Sequence, residues 1–447
     1  MKKREVSELN NWLLDSAEYG ETEDVLKLLA EGADIEAQDD REGYIGWTAL
    51  NYAAWGGHSE CLKALIAAGA DISVQDGEGW TPLHSAAGNG RPECVKILLE
   101  AGADIDCTDD AKITPFFYAA QNGINGWTDT DDKGYMECLK LLAAAGADIN
   151  TADNCGNTAL HISIQRTDFE CMSLLMELGA DINANTKNGR CGRYGWAPLH
   201  CAMFINNTEA VRILLDAGAD PNITDSSGRT LLHHALRTDV SIDTSKGLEY
   251  ASMLISAGAG LEMKDEDGRT ALCRTIQYGQ LKQAELLLKA GADTAALDKE
   301  GWPVLFSAEK IKFSQLCALL VKYGADINIA DTEGNTYLHW YLSLSLKNFD
   351  AALSVLRKYN IDLNRKNAGG KTALHIAALQ GDMKNIRLLI KVGADPNIKD
   401  ADDRTPLEIL KTLHPEKYKK YEERETSKRI TREDRTKSAG TGYEFDI

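Results

Sequence analysis

An all-α repeat solenoid is the fold class that this 447-residue sequence predicts, and three observations carry it. A start motif with Leu in third place and His in fourth recurs as "TPLHSAA" from Thr81, "TALHISI" from Thr158, "APLHCAM" from Ala197, "TLLHHAL" from Thr230, "TYLHWYL" from Thr336 and "TALHIAA" from Thr372. Weaker copies begin at Thr48, Thr114, Thr270 and Pro303, and a partial one at Thr405. Successive starts from Thr48 lie 33, 33, 44, 39, 33, 40, 33, 33, 36 and 33 residues apart, so the unit is 33 residues with excursions. Each unit closes on a glycine after a Leu-rich stretch, as at Gly69, Gly102 and Gly146.

Taken along the chain, residues 1–10 are a short lead, and the first unit begins at Asn11 with "NWLLDSAEYGETEDVLKLLAEG". Its acidic positions suit a solvated outer face, as a capping unit needs. In the inner units Thr caps a short helix, a Leu/Ala face follows and Gly breaks it. A second helix such as "ECVKILLEAG" then ends at a glycine, where a left-handed C-cap suits that residue. Asn360 takes the glycine's place in one unit, asparagine being the next best left-handed residue. The following "DxxGxT" is a tight turn into the next helix pair. One such unit cannot bury its apolar face alone, so the units must stack. Their starts fall near 11, 48, 81, 114, 158, 197, 230, 270, 303, 336, 372 and 405, and residues 412–447 form a charged tail that reads as a solvated helix with a frayed end.

The pattern TPLH-x-AA, a central Gly and a closing GAD, matched from about Asn11 to Lys411, resembles the ankyrin repeat family. The resemblance implies helix-turn-helix units joined by short β-hairpin loops, about 12 units including caps, stacked into one elongated, curved domain. It also implies partners that dock on the hairpin tips and the inner helix face. Four tips place a tryptophan just before the Thr position: Trp47, Trp80, Trp196 and Trp302. Aromatics of this size are frequent binding hot spots, although each indole could equally cover its neighbouring hairpin. Two hairpins are enlarged, "DDREGYIGWT" (39–48) and "TKNGRCGRYGWA" (186–197). The second brings Arg190, Arg193 and Tyr194 beside Trp196, a composition typical of interface cores, against the alternative of a plain surface loop. Two more insertions, near 124–134 and 240–246, lie between the helices of a unit, away from that docking edge.

Residues with chemical potential have structural explanations at this level. The six motif histidines repeat one per unit, a ladder rather than a cluster, with a ring nitrogen placed to bond the backbone of the turn. Cys61, Cys94, Cys138 and Cys171 each stand eight residues before a closing glycine, a small buried position, while Cys107, Cys155 and Cys191 fall in turns. The acidic run from Asp129 to Gly134 starts like a calcium loop, but its fifth and twelfth places would be Lys133 and Lys140 where oxygen ligands are needed. It is better read as an insertion, with Trp127 unexplained. Phosphate-binding, zinc-protease, hydrolase and kinase signatures are missing. No cofactor or metal is expected.

Formal net charge is -19; from Lys411 on there are ten basic and eight acidic residues, which leaves about -21 upstream. Nucleic acid is therefore a poor partner, since binding it needs cations that displace phosphate counterions. A protein, one with a basic segment above all, fits better. No apolar run of about 18 residues suggests a membrane span, and the N-terminus lacks a signal-like apolar stretch, so a cytoplasmic protein is expected. The function expected is a non-catalytic protein–protein interaction scaffold using its concave face and hairpin loops. The alternatives are an enzyme or enzyme subunit with an unrecognised site, and a secreted effector that binds a foreign host protein. Oligomeric state is not legible.

Overall fold

A computed structural model describes residues 6–121, 132–186, 195–225, 227–236, 244–307, 313–344 and 348–439. Among them are 23 α-helices and one 3-10 turn, with β-pairing limited to isolated bridges such as Ala152–Thr158 and Ala330–Thr336. By compactness the chain divides into Met1–Ala259 and Gly260–Ile447. In each, helices alternate between a short first helix and a longer second one, and like packs on like from one repeat to the next.

The repeat starting at Thr81 shows why the sequence folds this way. Thr81 is extended (φ -89°, ψ 166°) and precedes helix Pro82–Gly88, with proline at the first helical position where no N–H is missed. His84 Nδ1 accepts the Thr81 backbone N–H at 3.1 Å and lies 2.9 Å from the Thr81 hydroxyl. A nitrogen that accepts an amide proton carries none, so the proton of this neutral ring sits on Nε2. That nitrogen donates to the Ile113 carbonyl, 3.0 Å away in the next repeat. One imidazole thus caps its own helix and clamps the following hairpin. His161 does the same to Trp196, His339 to Lys371 and His375 to Arg404.

Repeats without this histidine show what it supplies. Asn51 caps Thr48 through Oδ1, but its Nδ2 is buried and unpaired. Glu408 stands in the last short repeat and completes a capping box with Thr405. The repeat from Pro303 has neither Thr cap nor histidine, and the described part of its first helix, Val304–Ser307, is a 3-10 turn.

Second helices, such as Pro92–Glu100 and Met383–Val392, bury one apolar stripe each. Cys61, Cys94, Cys138 and Cys171 are fully buried within these stripes, and burial pushes their thiols up to about 11 or 12. The first-helix carbonyls are met by side chains from the next repeat: His58 Nε2 at Glu18 O, Arg91 Nε at Trp55 O and His414 Nε2 at Leu379 O. The tail begins as a long helix, Pro415–Ala439, whose half-buried positions 418, 421 and 425 keep a helical spacing toward the last repeat, while Lys417 Nζ donates to Gly381 O.

The turn before the first helix needs a left-handed residue, glycine in most repeats and Lys112 or Asp403 in two. Gly79 has φ +83°, and a Cβ there would lie 2.8 Å from the Asp110 nitrogen of the next hairpin. Gly79→Ala therefore incurs both the left-handed penalty and a backbone clash, and should lower unfolding free energy by about 2 kcal/mol or more in urea titrations.

Burial also holds His84, His339 and His375 below the ordinary histidine range and takes His200 down to about 3. Between that value and about 6.5 the unfolded chain binds a proton that the folded chain refuses, so stability falls as pH drops below about 6.5. At pH 5 His200 alone should contribute roughly 2 kcal/mol of this loss. Thermal melts from pH 7.5 to 5 should show it, and His84→Asn, which keeps the cap as Asn51 does, should flatten the slope while lowering the pH 7.5 melting temperature.

Candidate interaction surface

Each hairpin is organised by the first residue of its turn. Asp76 Oδ1 accepts the backbone N–H of Glu78 at 2.9 Å and of Trp80 at 2.8 Å. Asp331 repeats this with Glu333 and Asn335, and Asn367 with Gly369 and Lys371. Such Asx turns fix the tip before any partner arrives. Within each part of the chain, neighbouring tips are also tied backbone to backbone: Gly77 N to Ile45 O at 2.8 Å, and Ala368 N to Glu333 O at 2.9 Å.

The second carboxylate oxygen is held by a group whose type varies among the repeats. Tyr52 Oη donates to Asp39 Oδ2 at 2.6 Å and Tyr118 Oη to Asp109 Oδ2 at 2.5 Å. His234 Nε2 reaches Asp225 Oδ2 at 2.9 Å, and Arg274 Nε reaches Asp265 Oδ2 at 2.7 Å. Tyr52, Tyr118, His234 and Arg274 all stand four residues after the start of their repeats, a shared phase that the sequence displayed. Side-chain amides serve Asp153 and Asp331, and arginines serve Asp298 and Asp400. Burial would raise Asp225, but the His234 hydrogen bond and two backbone N–H groups outweigh it and bring it to about 2. These carboxylates are committed to structure rather than poised for acid–base work.

Of the sequence-predicted binding residues, Trp47, Trp80, Trp196 and Trp302 are half-buried. Trp47 packs against Tyr52 at 4.9 Å and Trp55 at 6.2 Å between ring centroids; Trp80 lies 4.4 Å from Tyr118. Trp196 stacks on His200 and touches Phe204 at 4.8 Å, while Trp302 meets Trp340 edge-on at 5.7 Å. Each indole therefore covers a first helix with part of its surface and keeps the remainder at the hairpin edge. Arg190, Arg193 and Tyr194 lie outside the described residues, as do Trp127 and most of the inserted stretch 124–134. Gly134 is described: it sits inside helix Asp132–Ala144, and a Cβ on it would come 2.4 Å from the Gly90 carbonyl.

The enlarged hairpin at 39–48 ties its exposed cation to its own chain. Arg41 pairs with Asp39 at 2.6 Å and Asp15 at 3.2 Å, and its guanidinium lies about 6 Å from the Tyr44 and Tyr52 ring centres. Tyr44 and Ile45 remain exposed, at 37% and 61%.

A Cys–His approach does occur: Cys107 Sγ is 3.7 Å from His84 Nδ1 and 3.4 Å from the Thr81 hydroxyl. That nitrogen already accepts the Thr81 N–H, and burial pushes the Cys107 thiol up to about 11, so no thiolate nucleophile results. Among the described residues no group of three His, Cys, Asp or Glu side chains could hold a metal, and no helix is long and apolar enough to cross a membrane. Among the described residues eight cysteines are free and Cys155 is disulfide-bonded, which its place in a turn did not reveal; Cys191 lies outside them.

The family model of ankyrin repeats in three copies matches residues 13–109, 102–186, 184–246, 219–298, 240–331 and 305–400. Among curated proteins the chain is similar to alpha-latrotoxin-Lg1a of Latrodectus geometricus, 38% identical over 55 residues, which is 12% of this chain and 4% of the toxin. It is 32% identical over 69 residues to alpha-latroinsectotoxin-Lt1a of Latrodectus tredecimguttatus, 15% of this chain and 5% of the toxin. A putative ankyrin repeat protein of Borreliella burgdorferi is 34% identical over 76 residues, 17% of this chain and 18% of that protein. The matched segments thus span small fractions of these relatives, about two repeats in each case.

The shared carboxylate geometry yields one test. Tyr118→Phe strips Asp109 of its buried hydroxyl donor and should cost about 1 to 3 kcal/mol in urea unfolding, with the helical circular dichroism of the folded protein unchanged.

Proposed function

This chain belongs to the ankyrin-repeat family, and from that premise we propose that it is a binding scaffold that performs no catalysis of its own. Ankyrin repeats are a protein–protein interaction module. The observation that carries the finer proposal is the set of preset hairpin tips, held by Asx turns or, at Trp196, by the Thr186 hydroxyl, and four of them edged by a half-buried tryptophan. Rigid tips lose little conformational entropy on docking, and an indole already held by Tyr52 or Tyr118 offers its free edge without having to be ordered. The partner is a protein, and the net charge of about -21 over residues 1–410 favours one with a basic segment. Arg190, Arg193, Tyr194 and Trp196 would form a second, locally basic contact on the enlarged hairpin.

We place the protein in the cytoplasm. The eight free cysteines among the described residues support that, and the Cys155 disulfide is the observation that pulls toward an oxidising compartment.

Affinity capture from the native cell, followed by mass spectrometry, tests the proposal. Arg193→Ala with Tyr194→Ala should reduce recovery of a specific partner several-fold with no change in melting temperature. Trp196→Ala should lower both, because its indole also covers His200 and Phe204. Recovery should weaken as salt rises from 0.05 to about 0.5 M, as steering by opposite charge requires. Undiminished capture by the double variant and by Ile45→Asp would exclude these two enlarged tips as the contact.

A further inference from the structure

We propose that Asp76 is a recognition point for a partner's arginine, a guanidinium held between its carboxylate and the aromatic edge that Trp47 and Trp80 present. This rests on the protein-binding role above and names the chemistry of one point in it.

The inference comes from the rule of the hairpins and its exception. Among the described residues every other turn aspartate has an arginine, histidine, tyrosine hydroxyl or side-chain amide on its outer oxygen. Asp76 has only the indole N–H of Trp47, donated from the preceding repeat. The reason is visible in the sequence: four residues after Thr81, where other repeats carry Tyr52, Tyr118, His234 or Arg274, stands Ser85, too short to reach. Ser85 is 0% exposed and its hydroxyl has no hydrogen-bond partner. Asp76 itself is half-buried, whereas Asp39, Asp109, Asp265, Asp298 and Asp400 are buried.

One repeat earlier the chain shows how a guanidinium is held in such surroundings. Arg41 pairs with Asp39 and Asp15 while lying about 6 Å from two tyrosine rings. The hairpin 76–81 is shorter and has Glu78 but no arginine, so the place that Arg41 fills has no cation of its own here. Asp109 of the following repeat adds negative charge nearby, and burial raises Asp76 above the ordinary aspartate range, a cost that an arriving cation relieves. Arginine suits this place better than lysine because its flat, weakly hydrated head can both pair with a carboxylate and lie on an indole.

The test uses the full chain and two short peptides, acetyl-Gly-Gly-Arg-Gly-Gly-amide and its neutral citrulline counterpart. Binding is read from the indole N–H resonance of Trp47, identified with Trp47→Phe. The arginine peptide should shift it saturably and the citrulline peptide at least tenfold more weakly. Asp76→Asn should weaken the arginine response about tenfold or more; asparagine already makes this turn at Asn367, so the fold is kept. Ser85→Tyr should also abolish the response, because a tyrosine there reaches the carboxylate as Tyr118 reaches Asp109. Asp24→Asn, which removes one charge from the exposed face of helix Thr22–Glu31, should leave it unaltered. An equal response in Asp76→Asn, an equal response to citrulline, or no shift in the wild type overturns the proposal. No partner is needed here, so a negative result leaves the capture experiment standing, and failed capture leaves the cation affinity of Asp76 standing.

Discussion

The fold rests on a division of labour between the two nitrogens of one imidazole. Nδ1 must accept, because the group facing it is a backbone N–H; Nε2 must then donate, and the group it meets is a carbonyl of the next repeat. A helix start and a repeat-to-repeat joint are thereby secured together, by a side chain that has to be neutral and dry to do it. His84, His161, His339 and His375 make the joint in this way, while the repeats from Thr48, Thr114 and Thr270 keep a buried first helix with Asn51, Phe117 and Cys273 in that place. Where no repeat follows, the need for a clamp disappears and only the cap survives, which is what Glu408 supplies with Thr405.

The turn aspartates extend the same economy to the outer edge. Oδ1 is used identically in repeat after repeat, because two backbone N–H groups must be satisfied for the tip to form. Oδ2 is left over, and its partner varies from tyrosine to histidine to arginine to amide. Variation confined to one atom of a fixed motif lets neighbouring repeats share a backbone while presenting different chemistry, which suits an interaction module.

Much of this was legible in the sequence, for a physical reason. A 33-residue period repeats each signal many times, so the Thr cap, the histidine in fourth place and the closing glycine could be recognised by agreement among copies. Asn360 was recognisable as a glycine substitute and has φ +58°. The fourth-place histidine was legible as a structural residue, but not its bond to the next repeat, since a contact across 29 residues has no local signature. Tyr52, Tyr118, His234 and Arg274 went unnoticed because they share a position but not a residue type; phase, rather than identity, was the available clue. The tethering of Arg41 was hidden for a related reason, because Asp15, 26 residues away, takes part in holding it. The tryptophans were legible as tip residues, while their half-burial depended on which residue stood opposite, as Tyr118 does for Trp80.

The 3-10 turn Val304–Ser307 shows what happens when the signals lapse together. Pro303 brings no capping hydroxyl and Phe306 no imidazole, so what remains is apolar burial, with Phe306 against Tyr337 and Trp340, and a backbone tie from Val304 N to Ala296 O at 3.1 Å. The seat of this repeat therefore depends on packed aromatic rings and on backbone pairing with the segment before it, where other repeats rely on a single side chain that a point substitution removes.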